Sequence, residues 1–228
     1  MPTTHNEPTP VVLLIPAKPL HQAKTRLRTS LHLPVEVESL VAAMFNDTLT
    51  AALQCPTVEN VVVLTTDPRL HENARDSGAQ VWGKENPQAG LNATLRRASS
   101  ELHRRGSRIA VIPADLPALR SNDLEAALVA AGSHRSFCAD RRQEGTTLLV
   151  TGGRQLHPEF GRGSALAHAL SGARGLAVAG ESLRTDVDTA EDLLAAGVLG
   201  LGEHTAALLR SRLALASFDP SAAPWLAP

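Results

Sequence analysis

Short, almost unbroken apolar runs alternate with longer stretches in which apolar residues return every three or four positions, and this alternation predicts the fold class before any chemistry is considered. Residues 11–16 ("VVLLIP"), 60–65 ("NVVVLT"), 79–82 and 108–113 are β-branched or continuously apolar and stop at Pro, Asp or Gly. Runs of that kind suit strands buried on both faces. In residues 37–53, Val37, Leu40, Val41, Met44, Phe45 and Leu49 share one helical face, with Pro34 near the start. Residues 91–102 and 124–131 repeat the pattern, the second preceded by Ser121, Asn122 and Asp123 as capping candidates. Strand, helix, strand, helix requires crossover connections, so the expected class is α/β with a mainly parallel central sheet and helices on both faces. The second half is less regular: strands are predicted at 136–140, 146–151 and 175–179, and helices at 164–170, 190–199 and 204–215. No internal repeat or long linker divides the chain. A single domain over residues 11–215 is expected between a flexible polar tail (1–10) and a mostly irregular C-terminal segment (216–228), in which Trp225 is a candidate for docking.

Composition changes this picture only by exclusion. At 228 residues and 43% hydrophobic, the chain can bury a sizeable core. Twenty-two Lys and Arg against twenty-three Asp and Glu leave a net charge of -1, which argues against a nucleic-acid partner. Cys55 and Cys138 have neither disulfide nor metal-ligand spacing and read as reduced thiols of a cytoplasmic protein. The opening "MPTTHNEPTP" lacks the order of a signal peptide, and no apolar run approaches the roughly 20 residues of a membrane span, so no membrane association is expected.

Candidate chemistry gathers where strands end. In an open α/β sheet, ligands bind outside the carboxyl ends of the strands, and Asp115 in "PADLP" stands at such an end between Pro113 and Pro117, which restrict the backbone around it. Alone it reads equally as a turn or helix cap. In "RTDVDTAEDL" an extended backbone would turn Asp186 and Asp188 to one side and Val187 to the core. Two carboxylates held together repel unless a cation neutralises them, and magnesium prefers a few carboxylates completed by phosphate oxygens. Thr189 with Asp192 reads as a capping box for the helix that follows. The basic loop "PAKPLHQAKTRL" brings Lys18, Lys24, Arg26 and Arg28 to the end of the first strand, where a phosphate would need them. Neither G-x-G-x-x-G nor a Walker lysine loop follows any strand, which counts against dinucleotide dehydrogenases and P-loop NTPases. "EGTTLL" and "FGRGSALAHAL" could offer hydroxyls and free helix-start amides to an anion, with Ser164 at or near the cap, and plain glycine turns would look much the same. His157, His168 and His204 read as surface or capping residues.

Taken in order, "IPAKPLHQAKTRL", "PADLP", "GTTLL", "FGRGS" and "RTDVDTAEDL" resemble the 2-phospho-L-lactate guanylyltransferases and the phosphoenolpyruvate guanylyltransferases of deazaflavin coenzyme F-420 biosynthesis, over residues 11–194. The resemblance implies a Rossmann-like nucleotidyltransferase (GT-A-type) fold and a magnesium-assisted transfer from GTP to a small phosphorylated carboxylic acid. It implies that Asp115, Asp186 and Asp188 hold Mg2+, and that Thr146, Gly161 and Ser164 contact phosphoenolpyruvate. It places Lys18 and Lys24 on the triphosphate as the catalytic cations, and Arg26, Gly90 and Asn92 ("GLNATL") on the nucleotide side. Thr147 stands where the family pattern has Asn, which leaves its role open. The implied nucleophile, a phosphate oxygen, is already ionised at neutral pH, so no catalytic His or Cys is required. An Ala- and Arg-rich chain fits a high-GC bacterium and tilts the acid toward phosphoenolpyruvate; 2-phospho-L-lactate and 3-phosphoglycerate stay open, because one small group changes binding by only about 1–3 kcal/mol. A reactive diphosphate product is compatible with transient hand-over to a downstream transferase, and a homodimer is compatible with the same reading. The rivals are nucleotidyltransferases acting on a molybdopterin or a sugar phosphate, a glycosyltransferase of similar fold, and a non-catalytic nucleotide-sensing module, which the full set of three aspartates disfavours.

Overall fold

β1 (Val11–Pro16) sits at the middle of the molecule and shows how the chain divides its core. Val11, Leu13 and Ile15 face one hydrophobic cluster, Val12 and Leu14 the other, and all five are buried. β2 (Val58–Leu64) and β4 (Arg108–Val111) alternate in the same way, as strands covered on both faces must. The computed structural model describes residues 10–31, 35–83, 89–103, 108–152 and 155–215; the expectations for residues 1–9, Pro34 and 216–228 with Trp225 fall outside them.

With β3 (Gln80–Val81), β5 (Ser136–Ala139), β6 (Thr146–Val150) and β7 (Arg174–Gly175), the sheet runs in the order β3-β2-β1-β4-β6-β5-β7. Pairing is parallel except where β6 lies antiparallel to both β4 and β5. That reversal brings the amino end of β6, Thr146, to the rim formed by the carboxyl ends of β1, β4 and β5. A bulge accompanies it: Cys138 faces Leu148 and Ala139 faces Thr146, so Thr147 is the extra residue. Both Thr146 and Thr147 are buried.

The helices are α1 (Thr25–Ser30), α2 (Val37–Leu53), α3 (Pro68–Asp76), α4 (Gly90–His103), α5 (Ser121–Ala131), α6 (Ser164–Leu170), α7 (Glu181–Arg184), α8 (Ala190–Leu199) and α9 (Glu203–Leu215). α2, α3, α5, α7, α8 and α9 feed the first cluster, α4 and α6 the second. The α/β class with a mainly parallel sheet is therefore as expected. Among the described residues, no single helix is long and apolar enough to cross a membrane.

Several elements depart from the sequence pattern. α3 was hidden because only Leu70 and Ala74 of its nine residues are buried; its signal is Asp67, which accepts from the amides of Arg69 and Leu70, followed by Pro68 in the first turn. α5 begins at Ser121, so the expected caps lie inside its first turn, no side chain caps it, and Asp123 instead accepts from Ser182 Oγ at 2.6 Å. The expected strand 175–179 shortens to β7, because beyond Leu176 the Arg184 guanidinium takes the carbonyls of Leu176 and Ala179.

Candidate functional site

Asp115 is pinned from several sides. Beyond β4, the Ile112 amide continues the ladder to Leu14 O, and the Asp115 carbonyl accepts from the Val187 amide at 3.1 Å. The next amide, Leu116, is taken by Thr48 Oγ1 of α2 at 3.0 Å, and Pro117 O accepts from Gly202. The flanking prolines thus sit in a loop fixed by its hydrogen bonds as well as by its φ angles.

The carboxylate of Asp115 meets Lys24. The Lys24 ammonium bonds Asp115 Oδ2 and lies 2.6 Å from Asp188 Oδ1, at the start of α1 where Lys24 adopts φ 54. Burial works against the Lys24 charge, but Asp115 and Asp188 outweigh it and hold the ammonium above the ordinary lysine range. For Asp188, burial is again outweighed, by Lys24 first and then Arg26 and Arg142, and its carboxyl stays below the usual range. Asp186 is the loser of this arrangement. Burial and the neighbouring Asp115 charge push it up to about 7, with Lys24 only partly offsetting them. Asp115 Oδ1 is buried with no hydrogen-bond partner among the described residues. Two of the three carboxylates bond the ammonium and Asp186 feels both it and Asp115 through charge alone; among the described residues no three Asp, Glu, His or Cys side chains are grouped tightly enough to hold a metal ion as they stand.

In the acidic segment Val187 is fully buried between two partly buried aspartates, the alternation that was expected. Asp192 holds it. Its Oδ2 accepts from the amides of Asp188 and Thr189 and from Thr189 Oγ1, and its Oδ1 accepts from Arg142 at 2.8 Å. Thr189 and Asp192 form the predicted capping box of α8. Of the basic residues, Lys18 and Arg26 are exposed at the rim, and Arg26 stands 4.0 Å from Asp188. Asp67 shapes the loop that carries them: besides capping α3, it accepts from the Leu20 amide at 2.9 Å.

The second half of the rim is built around β6 and α6. Asp140 accepts from the amides of Glu144 and Gly145 and closes the turn into Thr146; a Cβ on Gly145 would lie 2.6 Å from Asp140 Oδ2, so any larger residue here would push the carboxylate off those bonds. Thr146 Oγ1 lies 2.8 Å from His168 Nδ1, and His168 Nε2 accepts from the Glu159 amide at 2.9 Å. The next residue, Phe160, exchanges two 2.9 Å hydrogen bonds with the Asn92 amide of α4. Gly161 follows with φ 141, then Gly163 with φ 71 and the buried Ser164.

Two expectations are overturned here. The amides at the start of α6 are not all free: Ser164 N donates to Gly161 O and Ala165 N to Glu144 O. His168 is no surface residue but is 0% exposed, while His157 and His204 are exposed. The structure brings Lys24, Asp115 and Asp188 into direct contact, with Asp186 beside them, and it assembles Thr146, Asn92 and the 159–161 segment around His168. Thr48, Asp67, Asp140 and Arg142 have no role in the sequence reading, and His168 has only a surface or capping one. Of these, Asp67 alone carried a local signal, the Asp-Pro step.

The family described as "Guanylyl transferase CofC like" matches residues 11–224. A phosphoenolpyruvate guanylyltransferase of Geodermatophilus obscurus is 44% identical over 202 residues, covering 86% of this chain and 93% of its own. One of Thermomonospora curvata is 42% identical over 225 residues and 96% of each chain. Among solved structures, a 4-diphosphocytidyl-2C-methyl-D-erythritol synthase superposes with a TM-score of 0.58 over 84% of this chain and 98% of its own; at 16% identity this is a likeness of fold.

Proposed function

The chain belongs to the family of CofC-like guanylyl transferases, and on that premise we propose that it joins GTP to phosphoenolpyruvate, giving enolpyruvyl-2-diphospho-5'-guanosine and pyrophosphate for deazaflavin coenzyme F-420 biosynthesis. The observation that carries this reading is the meeting of Lys24 with Asp115 and Asp188, beside Asp186, on the strand-end rim. A phosphate oxygen of the acid attacks the α-phosphorus of GTP. The bond from that phosphorus to its bridging oxygen breaks, and pyrophosphate leaves with the electron pair. No proton has to be removed from the nucleophile, so the site needs position and charge more than a base.

Asp115, Asp186 and Asp188 would hold a magnesium ion. Three carboxylates are the hard oxygen donors it prefers, and the buried, unpartnered Asp115 Oδ1 supports the fit. When bound, the ion supplies neutralisation of phosphate charge. Lys24 compensates the carboxylates until the nucleotide arrives, and with Lys18 and Arg26 it then faces the triphosphate. Gly90 and Asn92 stand on the nucleotide side, and Thr146, Gly161 and Ser164 on the acid side. Because Asn92 bonds the backbone of Phe160, the two sides are joined through one amide.

Pyrophosphate release tests the reading. Purified protein with magnesium should release it from GTP with phosphoenolpyruvate, and far more slowly with 2-phospho-L-lactate or with ATP or CTP. Release with 2-phospho-L-lactate alone would reassign the acid, and no release with either acid would end the proposal.

A further inference from the structure

We propose that His168 is a positioning residue for the acid-binding side, orienting the Thr146 hydroxyl so that its one proton is free for the anionic substrate. The inference rests on the reading that Thr146 contacts the phosphorylated acid. Its basis is a hydrogen-bond count. His168 Nε2 accepts a backbone N–H from Glu159, so in the neutral ring the proton resides on Nδ1. Nδ1–H therefore donates to Thr146 Oγ1, 2.8 Å away. A hydroxyl that already accepts from the ring keeps its own hydrogen for another acceptor.

The ring has little freedom to do otherwise. It is fully buried, with Phe160 edge-on at 5.2 Å and Phe137 at 6.1 Å. Burial first and the Arg135 charge second hold its pKa down to about 4, which keeps it neutral at pH 7 and leaves it a single N–H. Ser164 lies four residues earlier on the same helix, one turn along the same face. His168 thus ties Thr146 of β6, Ser164's helix and the backbone leading to Gly161 into one unit, and Asn92 fixes the far end of that backbone.

Two amide substitutions separate the bonds. In His168→Asn, the side-chain NH2 falls near the Nδ1 position and can still donate to Thr146; in His168→Gln, the amide reaches the Nε2 position and can still accept from Glu159 but leaves Thr146 unheld. Steady-state pyrophosphate release with GTP and phosphoenolpyruvate should show the KM for phosphoenolpyruvate raised about tenfold or more in His168→Gln and by less than about threefold in His168→Asn. The KM for GTP should stay near wild type in both. Equal effects in the two variants, or an equal rise in both KM values, would overturn the inference. Thr146→Val is the control for the reading beneath: an unchanged KM for phosphoenolpyruvate in that variant refutes the role of Thr146 itself. Should the His168 variants fold poorly, 15N NMR of histidine-labelled wild-type protein decides. A proton on Nδ1 sustains the inference, and a proton on Nε2 contradicts it.

Discussion

The two halves of the rim solve opposite problems. At the β1–β4 end, two carboxylates share one ammonium, a third, Asp186, is left at a pKa of about 7, and a buried carboxylate oxygen has no partner among the described residues. At the β6–α6 end, the groups around His168 are neutral and paired, although the buried hydroxyl of Thr147 beside them has no partner among the described residues: both nitrogens of His168 are used and Asn92 is matched to a backbone amide and carbonyl. The first has charges that are balanced only in part, and on the proposed reading a bound nucleotide and cation complete the balance. On the proposed reading, the second is a mould set before the phosphorylated acid comes. The difference teaches where free energy is held in reserve, since like charges kept together cost stability that a bound cation and phosphates return.

The largest effect should come from the charged end. Asp115→Asn is expected to lower kcat/KM by about 10²–10³, the range seen when one electrostatic stabiliser is removed; a loss under tenfold would deny Asp115 its place. Next comes Lys24→Met, which leaves the carboxylates without their cation and should cost roughly 3 kcal/mol in urea unfolding without magnesium. Added magnesium should recover more stability in that variant than in wild type, and equal recovery would break the contrast between the two ends.

The neutral end predicts a pH dependence instead. His168 has a folded pKa of about 4 against 6.5 unfolded, so the unfolded chain binds the extra proton in that window. Stability should therefore be complete above about pH 6.5 and fall by up to about 3 kcal/mol as pH drops toward 4. The difference between wild-type and His168→Asn unfolding curves isolates this slope, and parallel curves would refute it. The smallest expected effect is Thr48→Val, which removes the acceptor of the Leu116 amide and should cost about 1–2 kcal/mol while lowering activity only through Asp115.

How much of this was legible follows the same division. Strands such as β1 announced themselves because both faces are buried, and α2, α6 and α8 had the expected bounds because their apolar periodicity or caps are local. Asp186 and Asp188 could be paired from a two-residue spacing, since an extended backbone fixes which side they share. Lys24 meeting Asp115, 91 residues away, could be placed only by the rule that ligands gather at strand ends. His168 was illegible. A histidine on a short helix looks like a surface residue until the antiparallel β6 brings Thr146 beneath it, and nothing local encodes that contact. Thr147 lies on the same strand as the extra residue of the bulge, buried and with no hydrogen-bond partner for its hydroxyl among the described residues.

The most direct test of the central claim, that the carboxylate end is strained by its own charge until the nucleotide arrives, is the melting temperature of Asp186→Asn against wild type at pH 8, with and without magnesium and GTP. A folded pKa raised to about 7 means that Asp186 lowers stability as pH climbs from about 4 to 7, so the whole penalty is present at pH 8. The variant should melt higher than wild type without ligand, by on the order of 5 °C, and gain less from magnesium and GTP. A variant that melts below wild type without ligand, or gains as much from the nucleotide, would contradict the account.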